Sequence, residues 1–347
     1  MQPLINKLLN TFLCPFLMEK YDVVGLGSPL LDFIVEVDDS VVSELGLTKG
    51  QMHLVDKEKS IEIIKKLNEY DLKTASGGSS ANTTAGVSAL GGTSIFIGLA
   101  GRDDYGDTYE KNMISDGVEA EIVRNPECST GHAIVLVTPD TERTFAVHLG
   151  AALELRKKHI SEETIKKGKI LHLEGFLLEG PVKEAAIYAM DIAKQNNIKI
   201  SLDLSDAALI TRNLEEFKRI VSEYADIIFV NEDEAKAFTG REEEEALQII
   251  SKICDIAIVK LGEKGSLIKT NEVVYEIPAR RVDAINTNGA GDMYAAAILY
   301  GISRNIDFDT SGKIASYASS LVVTTDNARL TKSIKEDVEK LIINTEE

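Results

Sequence analysis

From Lys169 onward, apolar runs and amphipathic stretches alternate along the chain. Residues 170–173, 198–204, 227–230 and 256–260 are short, nearly continuous apolar runs. Runs of that length without polar alternation predict strands buried on both faces, as in a parallel sheet. Between them, 182–196, 213–223 and 232–254 carry the helical period. This strand–helix order predicts an α/β fold, a three-layer sandwich with helices on both sides of one sheet. Residues 22–27 and 94–98 read as two further buried strands of the same kind.

The first half of the chain has a different texture. Residues 31–37 alternate apolar and polar, and extended runs recur at 120–123, 132–137 and 144–149. The turn Pro139-Asp140-Thr141-Glu142-Arg143 separates the last two. Helices are predicted over 57–67, from the Gly/Ser turn at 76 through 90, over 107–115, and over 332–343 at the C-terminus.

Composition narrows the class. The 347 residues are 44% hydrophobic and 27% charged, as in a globular protein with a sizeable core. A formal net charge of −18 argues against nucleic acid or an anionic membrane as partner. Three scattered cysteines form no disulfide framework and point to a reducing compartment, so a cytoplasmic location is expected. No internal run of uncharged apolar residues is long enough to span a bilayer. Residues 1–19 are apolar-rich but lack a cleavage site, and read as an N-terminal extension.

Chemistry concentrates at a few turns. Asn286-Thr287-Asn288-Gly289-Ala290-Gly291-Asp292 leads into a helix whose apolar face is Ala290, Met293, Tyr294, Ala297, Ile298 and Gly301. Glycine amides at a helix start make an anion site. A carboxylate beside that site suits proton removal from an attacking hydroxyl. Ser76-Gly77-Gly78 through Asn82 lets backbone approach a ligand and adds an amide. Asn231-Glu232-Asp233-Glu234 follows a buried strand, where ligands bind in parallel sheets, and also fits a helix capping box. Gly25-Leu26-Gly27 suggests a dinucleotide turn, but the third glycine is missing and a strand follows. No phosphate-binding Gly-x-x-x-x-Gly-Lys-Ser/Thr loop occurs, and the five histidines are scattered.

The 286–292 turn resembles the Asp-Thr-x-Gly-Ala-Gly-Asp signature of the ribokinase-like (PfkB) carbohydrate and nucleoside kinases, with Asn286 in place of the first aspartate. Gly77-Gly78 with Asn82 is similar to that family's Gly-Gly-x-x-x-Asn signature. Gly25-Leu-Gly-Ser-Pro-Leu-Leu-Asp32 resembles the opening of its adenosine kinase branch, with Ser28 where that branch has Asn.

The resemblance implies roles. Asp292 would be the catalytic base, and the Gly289, Ala290 and Gly291 amides would hold the transferring phosphoryl group, with Arg143 closing from a lid. Asp32, Gly77, Gly78, Asn82 and Gln51 would meet the substrate, with Phe176 as an apolar wall. Asn231 and Glu234 would hold Mg²⁺ through water. Lys260, Gly262, Gly265 and Asn288 would complete the ATP site. Asn286 offers a neutral oxygen, which weakens any monovalent-cation site.

The resemblance further implies a discontinuous body, 20–31, 53–119 and 151–347, beneath a β lid from 32–52 and 120–150. The expected activity is ATP-dependent phosphorylation of a purine nucleoside, adenosine first, at its 5′-hydroxyl by a monomer or homodimer. A sugar kinase of the ribokinase, fructokinase or phosphofructokinase type is the alternative within the family. Outside it stand a nicotinamide-dependent oxidoreductase and a nucleoside-binding protein without turnover.

Overall fold

The computed structural model describes residues 20–346; the N-terminal extension expected at 1–19 lies outside the described residues. Fourteen strands are described: β1 (Tyr21–Leu26), β2 (Leu30–Glu36), β3 (Met52–Leu54), β4 (Lys73–Gly77), β5 (Ser94–Gly101), β6 (Glu119–Asn125) and β7 (Gly131–Val137), followed by β8 (Arg143–His148), β9 (Gly168–Glu174), β10 (Lys199–Asp203), β11 (Ile227–Asn231), β12 (Ile256–Lys260), β13 (Ser266–Thr270) and β14 (Val273–Ile277). They form a nine-stranded sheet, β14-β13-β12-β11-β10-β9-β1-β5-β6, and a five-stranded sheet, β3-β8-β7-β2-β4.

The large sheet is parallel from β12 through β6 and ends in the antiparallel hairpin β13–β14. Its apolar strands serve two cores at once. Leu171, Leu173, Ile200 and Leu202 pack under the helices Lys183–Gln195 and Leu214–Tyr224. Ile170, Phe229 and Ile258 face the opposite layer, made by Ala290–Ser303 and Phe308–Val322. Consecutive residues point to opposite faces, so both layers require an unbroken apolar run.

Three expectations change. The run at 120–123, placed in the lid, belongs to β6, which pairs in parallel with β5 at the edge of the large sheet. Most of β6 is only half-buried, which gave it the alternating look of a lid strand. Conversely, β4 lies in the small sheet, antiparallel to β2, although its polar sequence suggested body loop. The helix Ala290–Ser303 is buried from Met293 through Gly301, on all sides rather than on one face. Its small residues allow close neighbours: a methyl added at Gly86 would stand 2.6 Å from Ala296. That contact brings the helix Ser79–Ala89 alongside the one bearing Asp292.

Four adjacent strands of the large sheet, β9 to β12, end in polar residues at one rim. Glu174 is the last residue of β9, Asp203 of β10, Asn231 of β11 and Lys260 of β12. Register pairs Asp203 with Glu174 and Asn231 with Lys260. The carboxyl ends of parallel strands are where such sheets place ligands.

Candidate active site

A cavity of about 510 Å³ opens between this rim and the small sheet. Asp292 sits in it, in the first turn of Ala290–Ser303. Its carboxylate accepts from the Ser79 hydroxyl at 2.7 Å and from the Asn82 amide at 2.8 Å. Burial raises its pKa, the Asn82 and Ser79 hydrogen bonds pull it back, and the charge of Asp203 raises it again. The result is a carboxylate with more proton affinity than usual, as a base acting on a hydroxyl requires.

Gly289 precedes that helix in the left-handed region, φ 78°, where an added Cβ would strike the Ala328 carbonyl. No side chain caps the helix. Gly289, Gly291 and Asn288 line the cavity, so the helix start is open to an anion. The turn is held from behind: Asn286 Oδ1 accepts from the Asn288 N–H at 2.9 Å, and Asn286 Nδ2 donates to the Asp326 carbonyl at 3.2 Å. Lys260 Nζ stands 3.2 Å from where a Cβ on Gly291 would be. Burial alone would lower the Lys260 pKa, but the carboxylates of Asp203 and Glu234 raise it on balance. The ammonium stays charged beside the helix start.

Asp32 also lines the cavity, 9% exposed, with no donor reaching its carboxylate among the described residues. Burial pushes it up to about 7, against the pull of Arg329 and Arg143. A buried carboxylate with open lone pairs is an acceptor for ligand hydroxyls. Gly78, φ 93°, passes so close to the Ser28 carbonyl that a Cβ would not fit. Apolar side chains line it too: Met52 and Leu54 of β3 and Phe145 of β8, strands separated from β2 by β7, together with Leu149, Leu153 and Phe176.

Asn231 and Glu234 form a reciprocal capping box. Asn231 Oδ1 accepts from the Glu234 N–H at 2.8 Å, and Glu234 accepts from the Asn231 N–H at 2.9 Å and its side-chain amide at 2.7 Å. Both residues also line the cavity. Burial and the neighbouring Asp203 push Glu234 up to about 7, while Lys260 lowers it.

Other expected residues lie apart. Gln51 is exposed and outside the cavity lining, and its backbone bonds elsewhere: the N–H donates to the Thr48 carbonyl at 3.3 Å, and the carbonyl accepts from the Phe145 N–H at 2.9 Å. Arg143 flanks the cavity without lining it, and its Nη2 reaches the Asp326 carbonyl at 3.4 Å. Gly262 and Gly265 shape the turn after β12 behind the lining residues. Gly77 lines the cavity against Asp32.

Four residues escaped the sequence reading. Glu174 accepts from the Ser28 N–H at 3.0 Å and the Ser80 N–H at 2.9 Å, tying β1's exit to the start of Ser79–Ala89. Burial pushes it up to about 7; the two backbone donors oppose this and Asp292 adds to it. Asp203 holds Lys260, and Ser79 holds Asp292. Glu174 and Asp203 each close an apolar strand, the signal that had singled out Asn231. Arg329 belongs to an aperiodic polar stretch and gave no signal.

With this geometry in view, comparison with known proteins is specific. The pfkB family carbohydrate kinase pattern matches residues 45–335. A 5-dehydro-2-deoxygluconokinase of Listeria monocytogenes serotype 4a (strain HCC23) is 28% identical over 283 residues, 78% of this chain and 87% of that protein. The crystal structure of a probable sugar kinase from Rhizobium etli CFN 42 superposes with TM-score 0.87 at 29% identity, covering 93% of this chain and 99% of that one. An adenosine kinase from Sinorhizobium meliloti superposes with TM-score 0.85 at 28% identity, covering 92% and 99%.

Proposed function

The chain belongs to the pfkB family of carbohydrate kinases, phosphotransferases with a hydroxyl acceptor, and from that premise we propose that it transfers the γ-phosphoryl group of ATP to the 5′-hydroxyl of a purine nucleoside, adenosine first. The observation that carries this reading is the mixed lining of the cavity. Asp32, Gly78, Asn82 and Asp292 share it with six large apolar side chains, two of them phenylalanines. A bare sugar carries hydroxyls on every side, and each one buried against apolar surface costs desolvation without a partner. A nucleoside offers a surface for each kind of lining residue: a polar ribose, and a flat, mostly apolar base.

In this account Asp32 accepts from the ribose hydroxyls, and the acceptor hydroxyl lies against Asp292. As the oxygen attacks phosphorus, its proton passes to the Asp292 carboxylate and the bond from phosphorus to the ADP oxygen breaks. The amides of the Gly289–Gly291 turn and the Lys260 ammonium stabilise charge on the phosphoryl oxygens. Asn231 and Glu234 would hold Mg²⁺ through water: both line the cavity, and each oxygen that the capping box occupies once keeps a second lone pair. Magnesium there would offset phosphate charge.

One observation favours a sugar: relatives such as the Listeria 5-dehydro-2-deoxygluconokinase act, by their names, on a sugar-derived acid. Comparing kcat/KM for adenosine, inosine, cytidine, ribose, fructose and fructose 6-phosphate with MgATP decides between them. Adenosine is expected to lead. A bare sugar or sugar phosphate exceeding every nucleoside about tenfold would overturn the substrate class and leave the phosphotransferase standing.

A further inference from the structure

Arg329 lies in the connection between the helices Phe308–Val322 and Lys335–Glu346, far in sequence from the glycine turns, yet it is 8% exposed beneath the cavity. Each of its three guanidinium nitrogens donates a hydrogen bond. Nε donates to Asn82 Oδ1 at 2.7 Å, and Nη2 to the Gly77 carbonyl at 3.0 Å. Nη1 reaches Asp116 at 3.0 Å and the Met113 sulfur at 3.1 Å. The same connection places the Asp326 carbonyl on Asn286 and the Ala328 carbonyl behind Gly289.

The contact with Asn82 has a chemical consequence. A guanidinium only donates and a carboxylate only accepts, whereas an amide does one at each end. Asn82 stands between the two, so Arg329 dictates that its oxygen faces inward and its NH₂ faces Asp292. We propose that Arg329 is a positioning residue for the base: it fixes the polarity of the Asn82 amide, and through that amide the orientation and proton affinity of the Asp292 carboxylate. The proposal rests on the reading of Asp292 as the base. It assigns Asn82 a task beyond meeting substrate hydroxyls, since one end of its amide is held by Arg329 and the other by Asp292.

Without Arg329, Asn82 Oδ1 loses its donor and the amide is free to turn. Asp292 then loses part of a hydrogen bond that lowers its pKa, so its pKa rises further. A base must be ionised to act, so the acid limb of kcat moves to higher pH. A residue that merely stapled the connection to the body would lower thermal stability and leave that limb in place.

The test is the pH profile of kcat for Arg329→Met and Arg329→Lys, alone and in an Asn82→Ala background, with saturating MgATP and the best acceptor from the panel. The expected result for Arg329→Met is a fall in kcat of about tenfold, KM for ATP within about twofold, and an acid limb displaced upward. The Lys variant, which keeps the charge but not the fork, should fall between and decides the matter if the Met variant does not fold. In the Asn82→Ala background neither substitution should change kcat further. An unmoved acid limb, or effects that multiply with Asn82→Ala, would overturn the proposal. Failure of the underlying reading shows itself differently, as an Asp292→Asn enzyme that keeps its turnover.

Discussion

Lys260 donates to Asp203 at 2.7 Å across the ends of β12 and β10, and the same ammonium stands beside Gly291 at the helix start that faces the cavity. The pair is nearly buried, with side chains 15% and 5% exposed. In the proposed transfer, a buried cation next to these helix-start amides would add a full charge where the phosphoryl oxygens develop theirs.

Replacing Lys260 by Met should therefore reduce kcat about a hundredfold while KM for the nucleoside changes by no more than about threefold. Steady-state kinetics with MgATP measure it. Unchanged kcat with a raised KM for the nucleoside would place Lys260 in acceptor binding instead.

Asn286 donates one amide hydrogen to the Asp326 carbonyl. The family signature has an aspartate at this position, and a carboxylate with carbonyls can hold a monovalent cation that orders the turn. Here an amide N–H occupies the carbonyl and the charge is absent, so the residues do not fit such an ion. Turnover is expected to change by less than about twofold between K⁺ and an inert cation at equal ionic strength, and Asn286→Asp should create a K⁺ response. Strong K⁺ activation of the unmodified enzyme would contradict this.

Asp32, Glu174 and Glu234 are each pushed up to about 7 from ordinary values of 3.8 or 4.5, chiefly by burial. A folded-state pKa above the unfolded one means that the folded protein binds the proton more tightly. The associated stability is full below about pH 4 and is lost as pH rises through about 7. The ligand-free protein should therefore lose roughly 5 °C in Tm between pH 5.5 and 8, and Asp32→Asn should flatten that slope. Calorimetry across this range checks it; a Tm that rises with pH would contradict the burial argument.

Much of the fold was legible because both-face burial leaves unbroken apolar runs, as at Ile227–Asn231 and Ile256–Lys260. The small sheet was harder to read. β4, Lys-Thr-Ala-Ser-Gly, is an edge strand whose first residues are exposed, and the half-buried β6 looks the same in sequence whichever sheet it joins. The hairpin β13–β14 went unread because exposed Val273 and Val274 give it no buried period. At the site, glycine turns announce themselves, so Gly78, Gly289 and Asp292 could be found from local spacing. Arg329 could not: it acts on Asn82, about two hundred and fifty positions away, and only the tertiary path brings it there, whereas Glu174 closes an apolar strand and only its partners Ser28 and Ser80 were hidden. Gln51 illustrates the converse, a residue in lid sequence whose side chain the fold turns outward.

The central claim is that Asp292 removes the acceptor proton. The most direct measurement is single-turnover phosphoryl transfer by Asp292→Asn, alongside its ATP affinity by calorimetry. The account predicts near-normal nucleotide binding and a rate lowered by about two to four orders of magnitude. A variant retaining more than about a tenth of the wild-type rate would contradict it.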